Sequence, residues 1–254
     1  MTARVLFLGS DGDLSRIVYN RLAQRFPGMP AVIEEPPSRW TILRYRMRKL
    51  GIPAVVSQIA FLTLLRPILR VTTKRRIAQI CDELTLNRTA IPQQSISRVA
   101  SVNAAETIDI INRLDPKVIV VKGTRIISRK VLAAGQRVFI NTHTGITPAY
   151  RGSHGGYWAL YNGDPDRCGV TVHVVDAGID TGEVIAQSPI ETTAEDNFVT
   201  YPYLQTAAAL PALAEAVALA LDGRLATRPA AGPSAVWYHP GFFQYLAGWM
   251  RGIK

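Results

Sequence analysis

Over most of its length the chain alternates between short runs of consecutive apolar residues and longer stretches with apolar side chains every three or four positions. Val5-Leu-Phe-Leu-Gly-Ser, Ala31-Val-Ile, Ser97 to Val102, Val118 to Val121 and Val138 to Ile140 are runs of the first kind and predict buried strands. Between them, Asp13 to Phe26, Ala104 to Leu114 and Ser128 to Ala134 carry helical spacing. Continuous apolar strands separated by helices predict an α/β fold, a mostly parallel sheet covered by helices on both faces. Ligands of such sheets lie beyond the carboxyl ends of the strands. That puts Lys122-Gly-Thr-Arg-Ile-Ile and Asn141-Thr-His at one rim. Further on, Ser153 to Tyr161 reads as a helix, and Gly169 to Val175 alternates as a strand with Glu183-Val-Ile-Ala-Gln as its antiparallel neighbour. Phe198 to Leu221 is an alanine-rich helix that Pro202 and Pro211 delimit or bend.

The rhythm breaks between Trp40 and Glu83. Two or three helices are expected there, Trp40 to Leu50, Ala54 to Leu65 and Thr72 to Glu83, with breaks at Gly51-Ile-Pro and near Pro67. The middle piece is strongly apolar, but ended by Arg66-Pro67 it falls short of the ~20 residues that cross a bilayer. Charge singles out the same region. From Arg39 to Arg76 there are ten basic residues and no acid, and removing those ten leaves 19 of each sign in the rest of the chain. The partner of the net charge of +10 is therefore sought here. Two readings stand side by side: helices packed on the core with solvated arginines, or a basic amphipathic patch against an anionic membrane or anionic substrate. The segment from Pro240 to Lys254 is aromatic, ends in basic residues, and is expected to dock on the domain.

Length and composition narrow the class. A 254-residue chain with 48% apolar residues is globular and large enough for a substantial core. Cys81 and Cys168 are isolated, which argues against a disulfide framework or a zinc site and fits a reducing compartment. No metal site is expected. The apolar run at the N-terminus is too short for a signal peptide and reads as a first strand. Gly9-Ser-Asp-Gly-Asp lacks the third glycine of a dinucleotide fingerprint and sets two aspartates where a pyrophosphate would sit, so it reads as an ordinary turn.

The chemistry concentrates between Val138 and Gly182. Asn141 and His143 are two apart at the end of a strand and so share a face. Asp180 follows in a glycine-bracketed loop. An amide, an imidazole and a carboxylate are the parts needed for acyl transfer. Asn-x-His alone is a common coincidence; its position at a strand's carboxyl end, with the aspartate, gives it weight.

These motifs carry a resemblance. Asn141-Thr-His143 followed by Pro148-Ala-Tyr-Arg-Gly152, the strand and loop from Gly169 to Asp180-Thr-Gly, and Lys122-Gly-Thr-Arg-Ile-Ile resemble the folate-dependent formyltransferase family in order and approximate spacing. The likeness covers about Asp115 to Gly182; the first hundred residues match in general fold only. It implies a Rossmann-like formyltransferase fold with a helical basic insertion. Residues 1–223 would form the catalytic domain, with the insertion at about 37–95, and residues 224–254 a tail with a short aromatic and basic helix.

The resemblance further implies 10-formyltetrahydrofolate as donor and a primary amine as acceptor. Asn141, His143 and Asp180 would be catalytic, with Asp180 raising the imidazole's pKa. Thr124, Arg125, Ile126 and Ile127, with Asp176, Ala177, Gly178 and Ile179, would line the folate pocket. Thr144, Gly145, Arg151 and His154 would face the acceptor. At Thr144 and Gly145 the chain departs from the family's usual Pro-Ser, and Gly145 removes a hydroxyl that commonly faces the acceptor. Trp158 is expected in the core, and His173 on a solvent face or in the core. The family's tRNA-modifying members carry an additional C-terminal domain for which the sequence leaves too little length, and its purine-synthesis members lack the basic insertion. The expectation is therefore a small anionic acceptor, a nucleotide-linked amino sugar, with tRNA disfavoured. The alternatives are a glycinamide ribonucleotide transformylase-like enzyme, a formyltetrahydrofolate hydrolase and a non-catalytic folate-binding relative. A cytoplasmic location is expected, with peripheral membrane contact through residues 39–76.

Overall fold

Apolar side chains on alternate positions of each central strand divide the interior into two layers. Val5, Phe7, Ile33, Val118, Val120 and Ile140 face one way, and Leu6, Leu8, Val32, Ile119, Val121 and Phe139 the other. The structure, a computed structural model, describes residues 4–254 apart from the side chain of Arg39; the leading residues of the expected first strand, 1–3, lie outside it.

In chain order the elements begin β1 (Val5–Ser10), α1 (Asp13–Arg25) and β2 (Ala31–Glu34). The insertion contains α2 (Arg39–Leu50), α3 (Ile52–Ala60), a π-helical turn (Phe61–Leu65), α4 (Arg66–Thr72) and α5 (Lys74–Glu83). Then come β3 (Ile96–Val99), α6 (Ala105–Leu114), β4 (Val118–Lys122), α7 (Arg129–Leu132), β5 (Val138–His143), β6 (Arg151–Gly152) and α8 (Gly155–Tyr161). The chain closes with β7 (Gly169–Val174), β8 (Val184–Pro189), α9 (Tyr201–Leu221), β9 (Val236–Trp237) and α10 (Phe242–Met250).

Seven strands form one sheet in the order β3-β2-β1-β4-β5-β7-β8. The first five pair in parallel, and β7 joins β5, and β8 joins β7, antiparallel. This is the α/β arrangement the apolar runs predict. One layer of the core is closed by Ile17 and Leu22 of α1, Ile80 of α5 and Leu213 and Val217 of α9; the other by Ile110 and Ile111 of α6 and Val131 of α7. The helix α9 lies along β7, β8 and α1, with Pro202 in its first turn, where a missing N–H costs nothing, and Pro211 inside it. The Gly9 to Asp13 turn is knitted by ion pairs, Asp11 to Arg16 at 2.8 Å and to Arg98 at 3.5 Å.

One feature differs from the expectation. The predicted break near Pro67 is absent: Ile52–Thr72 is one continuous rod of 21 residues. Proline normally clashes with the carbonyl four residues earlier. Here a wider turn sits immediately before it, with Arg66 N–H donating to the carbonyl of Phe61, and this accommodates the ring. The chain after residue 223 packs on the rest of the fold. Its β9 pairs in parallel with β6, and Tyr245 of α10 joins a third, aromatic cluster with Phe61, Tyr150, Tyr157, Trp158 and Phe198. Trp158 is buried, as expected, with its indole N–H donating to the carbonyl of Tyr238 at 2.8 Å. The far end of the insertion is fixed by Arg76, whose guanidinium reaches both oxygens of the buried Asp196 carboxylate at 2.9 and 3.2 Å.

Candidate active site

Antiparallel pairing of β5 with β7 sets His173 directly opposite Asn141. Directly opposed residues share a face of the sheet, so Asn141, His143 and His173 project to the same side. Asn141 Nδ2 lies 3.1 Å from His173 Nε2, and His173 Nδ1 lies 2.8 Å from the carbonyl of Val174. A carbonyl only accepts, so Nδ1 carries the proton, and in the neutral ring Nε2 is then an acceptor. The Asn141 amide must then turn an N–H toward the ring, which fixes its orientation and leaves its second N–H free to donate.

His143 is held from both ends. Its Nε2 lies 2.7 Å from the carbonyl of Tyr150 and must donate to it; its Nδ1 lies 3.2 Å from Oδ2 of Asp180. The other Asp180 oxygen is 3.6 Å from His173 Nε2. Asp180 reaches the sheet because the β7–β8 connection folds back: its φ of 49° is left-handed, a conformation aspartate tolerates better than most residues. The connection is clamped by the short β6 strand, where Gly152 N–H donates to Asp180 Oδ2 at 3.0 Å and Arg151 Nη1 to the carbonyl of Ile179 at 3.0 Å. Gly152 is required there, because its φ is +92° and a Cβ would lie 2.3 Å from the carbonyl of Trp237.

The electrostatics differ from what the sequence suggests. Burial pulls the His143 pKa below the ordinary imidazole value, outweighing the opposite pull of Asp180 and the hydrogen bond to Tyr150. The expected upward pull of Asp180 is present; the net shift is downward because desolvation is larger. Burial pushes Asp180 upward, yet the nearby His143 and His173 rings and the Gly152 amide together hold it at about 2. Beneath them Lys122 is buried with Nζ donating to the carbonyl of Thr142 at 3.1 Å, and desolvation lowers it to about 8 against the pull of Asp180. The cluster is thus an ionised carboxylate facing a neutral imidazole, beside a fixed amide donor. A cleft of about 340 Å³ opens on it, lined by Pro148, Arg151, Asp180, Thr181 and Glu183. A larger cavity, about 620 Å³, lies by Tyr201, Asp196 and Lys254, away from these residues.

The other expected site residues are placed less uniformly. Ile127 is buried in the core, and the Arg125 guanidinium pairs with Glu34 and donates to the carbonyls of Glu35 and Ala100. Thr124 is half-buried, and Ile126 presents an exposed side chain while Asn103 ties its carbonyl at 2.9 Å. Asp176, Ala177 and Gly178 are exposed and Ile179 half-buried; Asp176 accepts from Thr181 Oγ1 and Gly178 N–H, which stiffens their loop. Thr144 is half-buried at the rim. Gly145 is buried, with its carbonyl accepting from Thr171 Oγ1 at 2.7 Å. His154 stacks on Phe198 at 3.9 Å and pairs with His239 at 3.0 Å, which turns it into the aromatic cluster. His173, expected on a solvent face or in the core, is buried, and its place opposite Asn141 is one that only the strand pairing reveals.

The family comparison agrees with this geometry. The formyl transferase family profile matches residues 68–210, more than half of the chain and all of the cluster. The chain belongs to the formyl transferase family. A methionyl-tRNA formyltransferase of Finegoldia magna is 33% identical over 92 residues, which are 36% of this chain and 29% of that protein. The match thus spans under a third of that relative's length. Among solved structures, a sugar N-formyltransferase from Shewanella sp FDAARGOS_354 superposes with a TM-score of 0.58 at 12% identity, covering 92% of this chain and 75% of that one. A sugar 3N-formyl transferase solved in the presence of dTDP and 5-N-formyl-THF superposes with a TM-score of 0.55 at 11% identity, covering 92% and 69%. At these identities the structural likeness establishes the formyltransferase fold.

Proposed function

We propose that the protein is an N-formyltransferase that moves a formyl group from 10-formyltetrahydrofolate to the primary amine of a small anionic acceptor, a nucleotide-linked amino sugar. The observation that carries the reading is the convergence of Asn141, His143, His173 and Asp180 on the face of β5 and β7, within a family-matched segment. The acceptor class is supported by the sugar-formylating structures that share the fold over most of the chain.

In this reading the acceptor amine attacks the formyl carbon, and the carbonyl oxygen gathers negative charge. The free N–H of Asn141 donates to that oxygen; a fixed donor of this kind contributes about 3–4 kcal/mol to the transition state. The amine must lose a proton as its bond to carbon forms, and N10 of the folate must gain one as its own bond to carbon breaks. With Nε2–H tied to Tyr150, Nδ1 of His143 is the ring position that can take up the proton, and the ionised Asp180 stabilises the imidazolium that results. Returning the proton to N10 closes the balance. The lowered pKa of His143 suits this role in one respect, because the ring is neutral at neutral pH and its Nδ1 lone pair is free to accept.

The test is release of tetrahydrofolate from 10-formyltetrahydrofolate, measured alone and with nucleotide-linked amino sugars, glycinamide ribonucleotide and methionyl-tRNA. Amine-dependent release with a nucleotide-linked amino sugar is expected. Release independent of any amine would make the enzyme a hydrolase and overturn the proposal. Release with methionyl-tRNA alone would assign the acceptor of the sequence relatives, a reading favoured by their 33% identity over the matched segment.

A further inference from the structure

The rod Ile52–Thr72 has two apolar faces, and the fold uses one of them. Inward, Val55, Gln58 and Phe61 are buried, with Leu62, Leu65 and Leu69 packed on the aromatic cluster, and Gln58 Nε2 donates to the carbonyl of His239 at 2.7 Å. Outward, Ile52, Val56, Ile59, Leu64, Ile68 and Val71 are exposed, from 43% at Ile59 to 66% at Ile52. These outer positions recur at three- and four-residue steps except between Ile59 and Leu64. There the π-helical turn absorbs one extra residue and keeps the stripe in phase. A rod of 21 residues carries such a stripe for about 30 Å.

The neighbouring helices add to it. On α2, Trp40, Tyr45 and Met47 are exposed; on α10, which packs along α3, so are Phe243, Trp249 and Met250. The polar companions have one sign. Arg44, Arg48, Lys49, Arg70, Lys74 and Arg75 are exposed, and no ion pair is formed by any of them among the described residues. No acid occurs from Arg39 to Arg76 or from Pro240 to Lys254.

We infer that this outer face is a docking surface for an anionic lipid bilayer, with the rod lying in the plane of the interface. Exposed aliphatic and tryptophan side chains enter the boundary between headgroups and acyl chains, and the arginines and lysines beside them meet lipid phosphates. The rod's length and composition also suit a bilayer-crossing helix, as do those of α9. Both are fixed to the domain instead: α9 covers the sheet, and the rod's inner face is spent on Phe198 and Tyr245. A second copy of the chain is disfavoured as occupant, because a two-fold contact would set this positive face against itself.

The experiment is co-sedimentation of the full chain with phosphatidylcholine vesicles, with and without phosphatidylglycerol, over a salt series. Expected are binding to the anionic vesicles that weakens with salt, little binding to phosphatidylcholine alone, and a blue shift of tryptophan emission from Trp40 and Trp249. The double variant Val56→Asp, Ile68→Asp changes exposed positions only and should keep the wild-type melting curve while losing most of the bound fraction. Absence of both binding and blue shift at low salt would overturn the inference. So would a double variant that binds as well as wild type. A dimer in sedimentation velocity that the double variant dissolves would assign the face to a second copy instead.

Discussion

Asp180 Oδ2 sits 3.2 Å from His143 Nδ1 while the same oxygen accepts the Gly152 amide at 3.0 Å. One carboxylate oxygen therefore joins the β5 imidazole to the β6 strand, and the geometry of the cluster depends on the fold-back of a loop far along the chain. The carboxylate contributes charge as well as position, because it is held at about 2 and stays ionised throughout the physiological range.

Replacing Asp180 with Asn keeps the shape and the backbone contact but removes the charge that stabilises an imidazolium. The Asp180→Asn variant should lose on the order of 10²-fold or more in kcat, with a smaller change in KM. Its stability should change in a defined pH window. The folded-state pKa is depressed from 3.8 to about 2, so the carboxylate stabilises above about pH 4, and that contribution vanishes as pH falls to about 2. Urea unfolding of wild type and variant across the acid limb should differ by this term.

Asn141 and His173 should behave as a unit. Asn141→Ala removes the proposed oxyanion donor and should cost about 10²–10³-fold in kcat. His173→Leu leaves the amide in place but unoriented and should cost less, with kcat falling and KM nearly constant. His173→Gln offers an oxygen near the position of Nε2 and should recover part of the loss, which a merely space-filling role would not. A double-mutant cycle between Asn141→Ala and His173→Leu should show a non-additive term.

The sheet was legible because its strands are continuous apolar runs, and five of them, from Val5 to Ile140, carry the signal locally. Asn141, His143 and Asp180 were legible as chemistry at a strand end and in a glycine-bracketed loop. The placement of His173 was not, since a histidine alternating on a strand looks the same whichever strand it faces; its place beside Asn141 follows from a register set between residues 32 apart. The continuity through Pro67 was hidden too, because local rules treat proline as a stop and the π-helical turn that relieves it leaves no compositional mark. Arg125 and His154 show the converse. Motif position marked them for ligands, and long-range partners, Glu34 and His239, claimed their side chains.

Gly145 offers a steric test. A Cβ there would lie 2.2 Å from the carbonyl of Tyr150 and 2.7 Å from His143 Nε2, against backbone that cannot yield cheaply. Gly145→Ser should therefore displace either the Tyr150 carbonyl or the imidazole it holds. Destabilisation of about 1–3 kcal/mol is expected, the range for overpacking a close-packed interior. The melting temperature should fall and kcat with it, even though no hydroxyl contact with the acceptor has been lost. An unchanged melt would show that the loop from Thr144 to Tyr150 moves freely.

The histidine pair away from the cluster makes the last prediction. His154 is lowered well below the ordinary value by burial and then by His239, Arg66 and Arg46; His239 is lowered to about 3 by burial and the same two arginines. In the unfolded chain both rings take up protons as pH falls through about 6.5, while in the folded protein they resist until far lower. The unfolded state then binds more protons, so folding stability is full above about pH 6.5 and drains away below it. Asparagine tolerates the left-handed backbone at position 154, where φ is 57°, but does not titrate. Between about pH 6 and pH 5, above the range in which Asp180 acts, His154→Asn should reduce the slope of unfolding free energy against pH by roughly one proton, about 1.4 kcal/mol per pH unit. An unaltered slope in urea titrations across that range would mean that His154 is protonated alike in the folded and unfolded chains.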